Sequence, residues 1–216
     1  MSRTALVIMA RYPEVGMVKT RLARAIGAER AHALYHAFLR DLDARFVRGS
    51  RTLIWAFHPP ERDFATLVSA ASRCEPQVGG TLGERMHNGF LKLCREFARV
   101  LMIGADVPHV EDAWLDEAER TLDDADIVLG PSTDGGYYLI GMRDPHDVFA
   151  GVEMSTPRVL ADTCRIAAAR ALRVHQLPAT FDIDEVTDFR RLHELLQRDA
   201  IAERLPATAA LLRAWV

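Results

Sequence analysis

The segment Leu6–Leu22, reading LVIMARYPEVGMVKTRL, constrains this chain more than any other. Ala5–Ala10 is an apolar run too short for a helix and suited to a buried strand. The chain then breaks at Pro13 and Gly16 and delivers Lys19, Thr20 and Arg21 at the start of a helical pattern. Strand, loop and cations at a helix start are how α/β proteins hold phosphate, because loop amides and cations face the anion together. Lys19 is one of two lysines among 27 lysine and arginine residues. A compact ammonium where arginine is the default cation points to a point-charge role. A plain strand-to-helix turn with solvated cations is the alternative. Two familiar phosphate loops are excluded. Val18 precedes Lys19 where a Walker loop needs glycine. The dinucleotide fingerprint is absent from this junction, and Gly79–Gly83 matches it only weakly.

The remaining pattern alternates strands with helices. Expected strands are Ala5–Ala10, Arg51–Phe57, Val100–Ile103, Ile127–Gly130, Tyr137–Gly141 and Leu172–Leu177. Expected helices are Ala28–Phe46, Glu61–Ala71, Leu82–Arg99, Ala113–Leu122, Thr156–Ala171, Asp188–Arg198 and Ala207–Trp215. Such alternation predicts an α/β fold with a mostly parallel sheet covered on both faces. The pair at 127–141 is joined by a short Gly-rich loop, so it is expected to be antiparallel and the sheet mixed. Ligands of such sheets bind beyond the carboxyl ends of the strands. That sets the loops after Ala10, Ile103 and Gly130 on one rim.

A length of 216 residues without an internal linker predicts a single domain over residues 1–216. A net charge of −3 argues against a protein that coats nucleic acid. No apolar run approaches the roughly 20 residues of a membrane span, and the N-terminus lacks a signal-peptide pattern. Cys74, Cys94 and Cys164 are odd in number and scattered, as reduced thiols of a cytoplasmic protein would be.

Several polar groups could carry chemistry, and those after Ile103 and Gly130 fall on the expected rim. Asp106 follows a strand in Gly104-Ala-Asp-Val-Pro108, where a carboxylate can hold a hard cation such as Mg²⁺ or Mn²⁺ or can shape the turn. Asp182 and Asp184 stand two apart in Phe181-Asp-Ile-Asp-Glu185. In an extended segment both point the same way, as a second ligand or its orienter. N-capping of the next helix is the alternative, with Asp188 a strong local candidate. Asp134 sits in the connection between the antiparallel strands and is a candidate general base or acceptor ligand. Arg85 opens a helix and can meet phosphate or a carboxylate, or can be a solvated first-turn charge. His32 and His36 lack a metal motif and are read as helix surface, and His109 as a loop histidine.

Five blocks occur together and in order: Ala10-Arg-Tyr-Pro-Glu-Val-Gly-Met-Val-Lys-Thr-Arg-Leu22, Gly83-Glu-Arg-Met86, Ile103-Gly-Ala-Asp-Val-Pro108, Val128-Leu-Gly-Pro-Ser-Thr-Asp-Gly-Gly-Tyr-Tyr-Leu-Ile-Gly141 and Phe181-Asp-Ile-Asp-Glu185. Taken together they resemble the bacterial GT-A-type candidate glycosyltransferases, also called selenodomain-associated or arsenosugar-biosynthesis-type transferases. The resemblance implies a three-layer α/β/α nucleotide-diphospho-sugar transferase fold. It also implies a nucleotide cradled by Ala10, Arg11, Gly16, Lys19, Thr20 and Arg21, and a divalent cation near Asp106. Arg11 stands where that family usually has lysine, Gly80-Thr81 where Gly-Asp is usual, and Met154-Ser155-Thr156 where Trp-Ser-Thr is usual.

The expected function is metal-dependent transfer of a sugar from a nucleotide-diphospho-sugar to a small-molecule acceptor. Lys19 and Arg21 would neutralise the departing diphosphate, Arg85 would meet phosphate, and Asp134 would serve the acceptor. Mg²⁺ or Mn²⁺ would be held by Asp106 and by Asp184 or Asp182. The Lys-Thr-Arg-Leu block is also similar to that of the 2-phospholactate guanylyltransferases. That likeness implies an alternative, nucleotidyl transfer from a nucleoside triphosphate to a phosphorylated acceptor. A non-catalytic nucleotide-binding module is the third reading.

Overall fold

The computed structural model describes residues 4–215. Seven strands form one sheet: β1 (Thr4–Arg11), β2 (Thr52–His58), β3 (Arg73–Pro76), β4 (Arg99–Gly104), β5 (Ile127–Pro131), β6 (Tyr137–Met142) and β7 (Val174–Gln176). Their spatial order is β3-β2-β1-β4-β6-β5-β7. β6 runs antiparallel to both neighbours, and every other pairing is parallel.

Among the described residues, eight α-helices complete the fold: α1 (Thr20–Ile26), α2 (Ala28–Phe46), α3 (Leu82–Leu93), α4 (Asp112–Thr121), α5 (Val159–Ala169), α6 (Val186–Leu195), α7 (Asp199–Arg204) and α8 (Pro206–Arg213). The central strands are apolar on both faces because both are covered. Leu6 and Ile8 of β1 and Leu101 and Ile103 of β4 pack with Leu34, Phe38 and Leu42 of α2, Leu115 of α4 and Leu192 of α6. Alternate residues, Val7 of β1 and Val100 and Met102 of β4, pack with Met86 and Phe90 of α3 and Ala167 of α5. The sheet is therefore the middle of three layers, as the alternating sequence pattern predicts.

Local chemistry sets the helix ends near the rim. Thr81 and Glu84 form a reciprocal capping box that starts α3. Glu185 and Asp188 do the same for α6, so Asp188 is the third helical residue and not the cap itself. Asp41 of α2 accepts from the amides of Ala207 (2.8 Å) and Thr208 (2.9 Å), and so caps α8 from a distant part of the chain.

The sequence pattern fails in four places. The expected helix 61–71 is a 3₁₀ turn at Phe64–Leu67 followed by β3. Phe64 is fully buried there as an anchor, and Asp43 of α2 takes up the turn through the Ser69 amide (2.9 Å) and the Ser72 hydroxyl (2.6 Å). The helix expected to run to Arg99 ends at Leu93, and β4 begins at Arg99. The helix expected from Thr156 begins at Val159, because Ser155 adopts a left-handed backbone (φ 66°) and the Leu160 amide donates to Gly135 O (3.0 Å). The short α7 shows no clear period in the sequence. Among the described residues, no helix is long and apolar enough to cross a membrane.

Candidate active site

The carboxyl ends of β1, β2 and β4 and the start of β6 open on one rim, which carries a two-lobed cleft. One lobe, about 600 Å³, is lined by Ala10, Arg11, Lys19, Thr20, Arg21, Tyr35, His58, Gln77 and Arg85. The other, about 790 Å³, is lined by Met86, Met102, Asp134, Tyr137, Tyr138, Met154 and Asp182. Arg21, Asp106, Ser155 and Asp184 face both. The first lobe is basic and the second acidic and apolar.

Lys19 is the hub where the lobes meet. Its ammonium lies 3.1 Å from Asp106 and 3.0 Å from Asp184, and its side chain is only 3% exposed. The Tyr35 ring lies below it, 5.8 Å from ring centre to Nζ. Burial pulls the Lys19 pKa down, but the Asp106 and Asp184 carboxylates outweigh it and hold the pKa above the usual lysine value. The residue also sits in the left-handed region (φ 50°, ψ 41°), a conformation that costs a residue with a Cβ about 1–2 kcal/mol. Strain of this kind persists where surrounding contacts over-determine it. Here the two aspartates and the start of α1 fix it.

The other cations of the first lobe are freer. Arg21 is half exposed and pairs with Asp184 and, at 3.4 Å, with Glu185. Arg85, from the first turn of α3, donates to the carbonyls of Thr81 (3.3 Å) and Gly80 (3.3 Å) and to Gln77 Oε1 (3.5 Å). The Arg11 amide donates to the Tyr35 hydroxyl (3.0 Å), which fixes the end of β1, while the Arg11 side chain stays in the cleft. Gly16 lines neither lobe. Its φ of 76° closes the turn that returns Met17 N to Glu14 O (3.0 Å).

In the second lobe the backbone brings three acidic segments together. The Ile183 amide donates to Asp106 O (3.1 Å), which pins the 181–185 segment beside the loop after β4. Asp184 turns to Lys19 and Arg21, and these cations lower its pKa against the opposing effect of burial. Asp182 instead accepts from the Ser132 hydroxyl (2.9 Å). Burial, followed by the charges of Asp106, Asp134 and Asp184, pushes its pKa up to about 7 against that hydrogen bond. Asp134 accepts from the Gly136 amide (2.9 Å) and heads a tight turn. Gly135 is required in that turn. Its φ is 91°, and a Cβ there would lie 2.2 Å from Pro157 O. The Asp134 turn and the 154–157 segment are thus pressed together.

Four cleft residues escape sequence reading: Tyr35, His58, Gln77 and Ser155. His58 carried a usable signal, since it ends β2 on the rim just before Pro59-Pro60. Tyr35 lies on the apolar stripe of α2 and reads as core. Gln77 follows a strand the sequence pattern does not reveal, and Ser155 stands just before the expected helix, where it reads as part of a connection. His109 lines neither lobe. It is buried against the Phe181 ring (4.6 Å between centroids), and its Nε2 lies 3.0 Å from Thr180 Oγ1. His32 and His36 pair edge-to-face with each other on α2, as a helix surface would. Among the described residues, no three His, Cys, Asp or Glu side chains form a ready-made metal cage.

A family model described as "Uncharacterized protein conserved in bacteria (DUF2064)" matches residues 41–156, more than half of the chain. The chain belongs to the DUF2064 family. A solved structure of a candidate nucleotide-diphospho-sugar transferase from Desulfovibrio desulfuricans is 32% identical, with a TM-score of 0.92 over 99% of this chain and 95% of that one. More distant structures share the fold. One is CMP:2-keto-3-deoxy-manno-octonic acid synthetase complexed with CTP (14% identity, TM-score 0.55, 92% of this chain and 100% of that one). Another is Rv0371c of Mycobacterium tuberculosis in complex with manganese (17% identity, TM-score 0.51, 89% and 98%). No curated protein matches the chain. The likeness to these structures bears out the GT-A-type nucleotide-diphospho-sugar transferase fold expected from the sequence.

Proposed function

We propose that this family member is a metal-dependent glycosyltransferase, acting as one domain over residues 1–216, that moves a sugar from a nucleotide-diphospho-sugar to a small-molecule acceptor. The observation that carries this reading is the division of one cleft into a basic lobe and a lobe rich in carboxylates and methionines, which meet at Arg21, Asp106 and Asp184. The donor's nucleoside diphosphate fits the basic lobe, where Arg11, Arg21 and Arg85 oppose its charge. Its sugar then reaches the boundary, and the acceptor enters from the second lobe.

The donor set suits a hard divalent cation. Asp182 is held near neutral pKa by burial and by unrelieved repulsion from neighbouring carboxylates, which a cation would relieve. Mg²⁺ commonly takes one or two carboxylates together with substrate phosphates, so a three-residue cage is not required. Asp106 and Asp182 would hold it, since Asp184 is already committed to Lys19 and Arg21. When bound, Mg²⁺ or Mn²⁺ would neutralise diphosphate charge as a Lewis acid. A manganese complex of a protein with this fold is in keeping with that role.

In the step itself an acceptor hydroxyl attacks the anomeric carbon, and the bond from that carbon to the diphosphate oxygen breaks. The electron pair leaves with the nucleoside diphosphate, where Arg21 and Arg85 meet the growing charge. Stabilising developing charge is usually the largest catalytic contribution. Asp134 receives the acceptor proton. Lys19 acts one remove back, by holding Asp106 and Asp184 in place.

The likeness to a CTP-bound synthetase favours the second reading, nucleotidyl transfer, to the extent that fold carries chemistry. The products separate the two. The test is a panel of nucleotide-diphospho-sugars and nucleoside triphosphates with Mg²⁺ or Mn²⁺, read first by thermal unfolding. A ligand at 100 times its dissociation constant adds about 2.7 kcal/mol, roughly 5–10 °C for a chain of this size. Stabilisation by one diphospho-sugar and its diphosphate, and release of that diphosphate on turnover, is the expected outcome. Pyrophosphate release from a triphosphate would replace this reading with the second.

A further inference from the structure

The two lobes differ in charge, and the difference limits what the second can hold. Resting on the transferase reading above, we infer that the acceptor is non-anionic: an alcohol or amine carried on an apolar body, without a phosphate or carboxylate group.

Four carboxylates, Asp106, Asp134, Asp182 and Asp184, face the second lobe, with Arg21 as its sole cationic lining residue. Lys19 and Arg21 offset Asp106 and Asp184. Asp134 and Asp182 accept only uncharged donors, the Gly136 amide and the Ser132 hydroxyl. Neither of these two carboxylates is paired with a cation in the wall, so its balance stays on the negative side. The rest of the wall mixes the apolar Met86, Met102 and Met154 with the hydroxyl-bearing Ser155, Thr156 and Tyr137. A desolvated anion there meets carboxylates and, in Arg21, a cation already held by Asp184, whereas flexible thioethers adapt to apolar bodies of varied shape. The contrast with the first lobe is sharp, since Arg11, Arg21 and Arg85 make that lobe a place for anions. The phosphorylated acceptor that nucleotidyl transfer requires is, on this account, excluded from the second lobe by charge.

The experiment is a titration of the full chain, labelled at the methionine methyl groups, with three probes that share one aromatic body: 2-phenylethanol, 2-phenylethylamine and 2-phenylethyl phosphate. The methyl resonances of Met86, Met102 and Met154 report on the second lobe, and that of Met17 on the first. The alcohol and amine should shift the second-lobe methyls with affinities at least about tenfold tighter than the phosphate, since discrimination here comes from repulsion. Asp134→Asn should narrow that gap. Met154→Arg, at a half-buried position, should weaken the amine and strengthen the phosphate. A phosphate ester that shifts the same methyls as strongly as the alcohol overturns the inference, and so does the absence of any shift with alcohol and amine. The transferase reading is tested separately in the same samples. If no nucleoside diphosphate moves the Met17 methyl, that reading fails, while the comparison at the second lobe can still be made.

Discussion

His109 lies behind the cleft wall, and its surroundings predict how stability falls in acid. The imidazole is 4% exposed, packed on Phe181 and hydrogen-bonded to Thr180. Burial, followed by the nearby charges of Arg191, Arg204 and Arg45, lowers its pKa from 6.5 to about 4. A histidine kept neutral in the folded state binds fewer protons than in the unfolded chain throughout the window between those values. Stability therefore rises with pH across that window, and the contribution is lost as pH falls from 6.5 towards 4. The linkage integral gives a loss of about 1.4 kcal/mol at pH 5.5 and about 2.5 kcal/mol at pH 4.5. The perturbation is His109→Gln, which keeps a donor and an acceptor near Thr180 but cannot titrate. Urea unfolding of both proteins at pH 7.5, 5.5 and 4.5 isolates the effect, because the carboxylates common to both cancel in the difference. The variant should be less stable at pH 7.5, and its deficit should shrink by those amounts on acidification. A deficit that stays constant within a few tenths of a kcal/mol would refute the account of a neutral, buried imidazole.

The remaining predictions concern the cleft. Lys19→Met leaves Asp106 and Asp184 without their shared ammonium. Removing one partner of a buried pair costs 3–5 kcal/mol, and because these aspartates are 40% and 26% exposed about 2–3 kcal/mol is expected in urea unfolding. Asp106→Asn should change stability far less than that, yet lower turnover of the diphospho-sugar at least about a hundredfold in a product assay. Removal of divalent cations with a chelator should abolish turnover and the metal-dependent part of nucleotide stabilisation, with both restored by Mg²⁺ or Mn²⁺. Gly135→Ala should lower stability by about 2 kcal/mol or more, since it combines a left-handed backbone with a clash against Pro157. Melting temperature and the Asp134-dependent rate should fall together.

Periodicity was enough to find the central strands and α2, because strands covered on both faces are continuously apolar and a long amphipathic helix repeats its stripe several times. Topology placed the loops after Ala10, Ile103 and Gly130 on one rim, whereas the 181–185 segment was a candidate only through the spacing of its carboxylates. What stayed hidden depends on tertiary partners. The 61–76 segment is shaped by Asp43, which lies on a helix far from it in the chain. The role of Lys19 illustrates the same limit. As a lone lysine after a loop it reads as a cation for phosphate, but only the fold reveals that two aspartates already hold its ammonium. Asp182 and Asp184 look equivalent in sequence, and they part company because one meets Lys19 and Arg21 while the other meets Ser132. Tyr35 could not be told from core, since a residue on an apolar stripe gives no sign that the stripe ends at a cleft.

The reversed direction of β6 has a consequence for how this scaffold can change over time. A strand running against its neighbours begins where they end, so the 132–136 turn opens onto the cleft from a position that an all-parallel sheet would leave on the opposite edge. The basic lobe is drawn mainly from the first ninety residues, whereas the other lobe depends on this turn and on residues 154–157. Replacements at Asp134, Met154 or Thr156 alter the second lobe without disturbing the register of any strand, whereas Ser155 faces both lobes. The architecture thus separates a half of the cleft built on the early strands and helices from a half built on two short connections.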